Sequence, residues 1–106
     1  MSLHAVVIDD DKFNLEVMGR LLELQSVEHT AISDPTTIDA TLDNLDAVDV
    51  VFLDLEMPKF DGYKAFDLLQ SKLGTDVPII ACTVHTNEME TVRDIGFTGF
   101  ISTVCH

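Results

Sequence analysis

The sequence predicts an α/β fold built on a parallel sheet, and three observations carry that reading. Short apolar runs without alternation occur at Ala5-Val6-Val7-Ile8, Val50-Val51-Phe52-Leu53 and Val77-Pro78-Ile79-Ile80-Ala81-Cys82. Segments of helical periodicity separate them. Carboxylates close the first two runs, as Asp9-Asp10-Asp11 and as Asp54. An unbroken short apolar run is the mark of a strand buried on both faces, the habit of parallel sheets. Strands alternating with helices imply right-handed crossovers within one sheet. Ligands of such sheets bind at the carboxyl edge of the strands. Both acidic sets therefore belong to one edge. A single acid there would read as a strand end or helix cap; two sets at matching positions read as a site for a hard cation.

The elements follow in order. Leu3 to Ile8 is the first strand. Lys12 to about Gln25 is a helix, with Asp11 as N-cap, an apolar stripe of Phe13, Val17, Leu21 and Leu24, and Met18 and Leu22 beside it. Val27 to Ile32 alternates weakly, as an edge strand does. Asp34-Pro35 opens a second helix, with Asp34 capping, Pro35 at its first position and Ile38, Leu42 and Leu45 facing inward. Val48 to Leu53 is the central strand, and Pro58 keeps it from continuing because proline has no N–H for the ladder. Asp61-Gly62 opens a third helix to about Leu73, burying Tyr63, Phe66, Leu69 and Leu73, with Gly74 at C′. Val77 to Cys82 is the fourth strand. Thr86 or Asn87 starts a fourth helix with Met89, Val92 and Ile95 inward, and Gly96 ends it. Gly99 to Ser102 begins a fifth strand. A closing helix is expected in this pattern, and the tail Thr103-Val104-Cys105-His106 does not supply it.

At 106 residues, the chain is expected to be a single domain spanning 1–106. Nineteen acidic against six basic side chains leave a formal charge of −13, which disfavours nucleic acid or an anionic membrane as a direct partner. No apolar run approaches the roughly 20 residues of a membrane span, and no signal peptide is recognisable. Cys82 and Cys105 form no disulfide framework and suit free thiols in a reducing cytoplasm. His4, His29 and His85 lack a second His or Cys at ligand spacing and are expected at the surface or strand edges.

The segments Val6-Val7-Ile8-Asp9-Asp10, Leu53 to Gly62, Pro78 to Thr83 and Gly96 to Ile101 together resemble the receiver domains of bacterial two-component response regulators. The resemblance implies a flavodoxin-like three-layer sandwich with a five-stranded parallel sheet of order 2-1-3-4-5, here with the terminal helix missing. It implies that Asp54 is the phosphoacceptor. It implies that Asp9, Asp10, Asp54 and the backbone carbonyl of Glu56 hold Mg2+, with Thr83 as the switch hydroxyl and Phe100 as the switch aromatic. The implied function is Mg2+-dependent transfer of a phosphoryl group to Asp54 from a phosphohistidine on a sensor histidine kinase or phosphotransfer protein. The product is a phosphoprotein carrying an aspartyl phosphate, and the chemistry is self-catalysed, so the domain acts as a cytoplasmic switch rather than a turnover enzyme.

The chain departs from the family pattern where a Lys-Pro pair is expected three residues after the switch aromatic; Thr103-Val104 stands there. Two alternatives therefore stay open, a phosphorylation-silent interaction module on the same fold and a phosphatase-like hydrolase with an aspartyl nucleophile. The hydrolase reading lacks the Asp-x-Asp-x-Thr motif. With one sheet face covered only by the Lys12–Gln25 helix, self-association through that face is a further expectation.

Overall fold

The computed structural model describes residues 3–55, 62–74, 76–83 and 94–102. Five parallel strands form one sheet in the order β2-β1-β3-β4-β5. They are β1 (His4–Ile8), β2 (Glu28–Ile32), β3 (Val50–Asp54), β4 (Ile79–Thr83) and β5 (Gly99–Ser102), with α1 (Lys12–Leu24), α2 (Ile38–Asp43) and α3 (Gly62–Leu73) between them. The flavodoxin-like order is thus the one observed, with the weakly patterned second strand at the edge.

Side chains alternate across the sheet. One face gathers the main core: Val6, Ile8, Val51, Leu53, Ile79 and Ala81 pack with Ile38 and Leu42 of α2, Ala65, Phe66 and Leu69 of α3, and Phe97. The rings of Phe66 and Phe97 lie 4.2 Å apart, centroid to centroid. The opposite face carries Ala5 and Val7, both buried, under α1.

Local chemistry sets the helix ends. Asp11 caps α1 by accepting the Phe13 N–H at 2.9 Å. Asp34 accepts the Thr36 N–H at 3.0 Å and caps a 3-10 turn over Pro35–Thr37 that leads into α2, so the expected helix start is present in tighter form. Gly74, with φ of 79°, closes α3 through its N–H to the Gln70 carbonyl at 2.9 Å. The end of α1 is less comfortable. Ser26 N–H reaches the Glu23 carbonyl and Val27 N–H the Leu22 carbonyl, a Schellman pair that sets Ser26 at φ 60°. A side chain there is strained, because a left-handed residue costs about 1–2 kcal/mol when it is not glycine. Ser26→Gly should therefore raise the urea midpoint, reflecting a gain in unfolding free energy of about 0.5–1 kcal/mol once the extra freedom of glycine in the unfolded chain is subtracted. An unchanged or lower midpoint would show that the strain is absent.

Two expectations about burial are corrected. The stripe on α1 does not face the sheet. Phe13 is 70% exposed, Leu24 77%, Leu21 53% and Val17 40%, while Leu15 and Gly19 are buried. The cause is the close approach of the helix to β2. A Cβ on Gly19 would lie 2.7 Å from the His29 Nε2, so α1 seats on its smallest residue. At roughly 100° per residue the four stripe residues share an arc of about 80° on the side away from Gly19. The apolar arc is wider than its contact with the sheet, and the larger side chains are left outside it. Ile95 is the second correction: it is 39% exposed, because Gly96, at φ 118°, turns the chain and Phe97 enters the core in its place. The rest of the fourth helix, with Met89 and Val92, lies outside the described residues, as do His85 and Cys105.

Candidate metal centre

The register of the two central strands builds the site. Val7 pairs with Phe52 and Ile8 with Leu53, so the next residue on one strand is Asp9 and on the other Asp54. Both carboxylates leave the sheet at its carboxyl edge and on the same face. The ends of these strands are held firmly. Asp9 N–H donates to the Ile32 carbonyl at 3.1 Å, and Leu55 N–H to the Cys82 carbonyl at 3.0 Å. Gly62 lets α3 start close against this edge, since a Cβ there would meet the Leu55 Cα at 3.1 Å.

Among the described residues, Asp9, Asp10 and Asp54 bring one carboxylate oxygen each to within 4.8 Å of one another. Asp9 is buried, Asp10 is exposed and Asp54 is half-buried. The Asp9 Oδ1 accepts the Asp11 N–H at 2.9 Å. The side chains of Asp54 and Asn14 are close enough to act on its charge. Burial pushes the Asp9 carboxyl above the usual range, and the Asp10 charge adds to that, while the Asp11 N–H and the polar side chains of Asp54 and Asn14 pull the other way. Three oxygen donors crowded against mutual repulsion are a donor set that fits a hard divalent cation.

Cys82 stands opposite Asp54 on β4 as a free thiol. Burial, with the neighbouring charges of Asp54 and Asp9, pushes it up to about 12. It is therefore a protonated, unreactive thiol at neutral pH.

The remaining sequence expectations are placed as follows. Thr83 is the last residue of β4, one position beyond the partner of Asp54, and Phe100 stands in β5 opposite Ala81. Glu56 and Thr103 lie outside the described residues. Sequence reasoning missed Asn14. Its signal was its place in the first turn of the helix that Asp11 caps, a position where a polar side chain can reach back over the strand end.

The response regulator receiver domain model matches residues 5–103, and the chain belongs to that family. It is a receiver domain, a signalling domain of two-component phosphorelay systems. Among curated relatives, it is 33% identical over 96 residues to stress response regulator protein 1 of Meyerozyma guilliermondii, covering 86% of this chain and 44% of the relative. It is 27% identical over 116 residues to an osmosensing histidine protein kinase of Saccharomyces cerevisiae, covering 95% of this chain and 9% of that kinase. The chain thus spans less than half the length of these relatives. In fold it is similar to the chemotaxis protein CheY4 of Vibrio cholerae, with a TM-score of 0.86 at 18% identity over 100% of this chain and 90% of that one. It is similar as well to the response regulator TrrA of Thermotoga maritima, solved in complex with Mg2+ and BeF, with a TM-score of 0.83 at 18% identity, covering 96% and 87%. No helix among the described residues is long and apolar enough to cross a membrane.

Proposed function

We propose that Asp54 is the phosphoacceptor of this domain and that it takes a phosphoryl group from a phosphohistidine on a sensor histidine kinase or phosphotransfer protein. The observation that carries this reading is the meeting of the Asp54 carboxylate with those of Asp9 and Asp10 at the open end of β3. A carboxylate oxygen of Asp54 bonds to phosphorus as the P–N bond of the phosphoimidazole breaks, and the imidazole keeps the bonding pair and takes up a proton. Asp9, Asp10, Asp54 and the Glu56 carbonyl would hold Mg2+, which offsets the negative charge of the site and of the incoming group. Asp54 itself supplies the nucleophile, so the reaction needs no residue from the donor beyond the phosphohistidine. The resulting dianion lies one strand away from Thr83, which suits Thr83 and Phe100 as the pair that carries the change to the surface.

An intact-mass measurement tests the reading. The chain should gain one phosphoryl group from a small phosphodonor in the presence of Mg2+ and none in excess chelator. No gain with Mg2+ present would overturn it and leave the silent module as the better account. The complete carboxylate set speaks against that alternative, and family membership speaks against the hydrolase. The half-buried, protonated thiol of Cys82 suits a cytoplasmic setting.

We also propose that the domain associates with itself through the outer face of α1. Phe13, Val17, Leu21 and Leu24 present a continuous apolar stripe to solvent, and such stripes seek partners. Light scattering should show a mass that rises with protein concentration and falls to the monomer in the double variant Leu21→Lys, Leu24→Lys. A monomer at high concentration in the unaltered chain would refute the association.

A further inference from the structure

The outward side of α1 is apolar along its length, and its two borders are unlike. Phe13, Val17, Leu21 and Leu24 run down that side, all exposed. At roughly 100° per residue, Arg20 and Glu16 fall about 20° and 60° beyond the Phe13 edge of the stripe, while Asn14 and Gln25 flank the other edge. One border is thus charged and the other neutral. The two charges are held side by side. The Arg20 Nη2 donates to the Glu16 Oε1 at 2.7 Å, and both side chains stand largely in solvent.

Two copies of such a helix can meet along the stripe in two ways. In a parallel pair, the charged border of one helix faces the neutral border of the other, and Glu16 and Arg20 gain no partner. In an antiparallel pair, each border faces its own copy. Phe13 then stands opposite the partner's Leu24, and Val17 opposite the partner's Leu21. This same alignment brings Glu16 to within about 3 Å, along the axis, of the level of the partner's Arg20. The two-fold axis repeats the contact, because a residue that meets its partner is met in return. Four charges of alternating sign then lie beside one apolar seam.

We propose that α1 is a homodimer contact in which two copies pack antiparallel, stripe against stripe, with Glu16 of each copy paired with Arg20 of the other. This rests on the self-association proposed above and gives it an orientation. The start of α1 follows the carboxylates of Asp9 and Asp10, so the two cation sites stand at opposite ends of the seam, which thirteen residues make about 20 Å long. A contact of one helix from each copy is at the small end of specific interfaces, and a dimer in exchange with monomer is expected.

Charge exchange tests the orientation, with urea midpoints measured to show that each variant folds. Arg20→Glu sets like charges against each other at both crossings. It should weaken association about tenfold at low salt in sedimentation equilibrium, since two attractive exposed pairs become repulsive. The double variant Glu16→Arg, Arg20→Glu restores opposite charges at both crossings and keeps the net charge, so it should associate as the unaltered chain does. A mixture then separates the two orientations. The amide resonances from Phe13 to Leu24 of 15N-labelled unaltered chain should shift when unlabelled unaltered chain is added and hardly move when the unlabelled double variant is added, because like charges would meet in the mixed pair. Equal shifts from the two additions would overturn the antiparallel orientation and leave self-association standing. Undiminished association of Arg20→Glu, or a folded double variant that stays monomeric, would overturn the pairing of Glu16 with Arg20. An unaltered chain that is monomeric at every concentration would overturn both the association and its orientation.

Discussion

Asp54→Asn should abolish phosphoryl uptake without unfolding the chain. The substitution keeps the shape of the side chain and removes the nucleophilic, anionic oxygen. It also removes one of three crowded negative charges, so the urea midpoint should stay level or rise. Borohydride trapping followed by peptide mapping of the unaltered chain should place the label at Asp54 alone. Asp9→Asn and Asp10→Asn form the contrast: each keeps the nucleophile but should need far more Mg2+ for the same extent of labelling. Label recovered at a His, Ser or Thr, or at Asp34 or Asp61, would contradict the assignment. So would an Asp54→Asn protein that still gains mass.

Phe66→Ala should be the most damaging substitution for stability. Phe66 is 1% exposed, sits in the main core and stacks on Phe97 at 4.2 Å. Emptying such a site costs about 3–5 kcal/mol, through lost transfer energy and an unfilled cavity. Domains of this size are stable by only about 5–15 kcal/mol in all. The loss is large enough to leave a substantial unfolded fraction at 37 °C if the starting value lies at the lower end. Chemical denaturation reads it directly. A loss below about 1 kcal/mol would mean that the α3 side of the sheet collapses around the gap, and that the core is looser than its burial implies.

The sheet and the acidic site were legible in the sequence because both are written in local pattern. Unbroken apolar runs marked the central strands, and the acids that end them had to emerge at one edge once the strands were parallel. Caps were legible for the same reason: Asp11, Asp34 and Gly74 each act within a few residues of their own position. What the sequence concealed was orientation set by long-range contact. The apolar stripe on α1 suggested which side of the helix is buried, and the contact of Gly19 with His29 of β2 decided otherwise. Ile95 was misplaced because the turn at Gly96 hands the inward position to Phe97. Asn14 went unnoticed since nothing in the spacing of a lone Asn shows that a strand end lies beneath it. The site as a chemical set was readable; the polar neighbour beside it was not.

The pairing of β1 with β3 carries a consequence for the chain's quality control. Asp9 and Asp54 share a face only because Ile8 stands opposite Leu53. A slip of one residue between these strands would send the two carboxylates to opposite sides of the sheet. The apolar runs are nearly uniform, so such a slipped sheet could still be compact and could still pass a test of secondary structure. It would be chemically mute. On the proposed chemistry, phosphoryl uptake would report strand register: only molecules whose central strands have locked in step would carry the label.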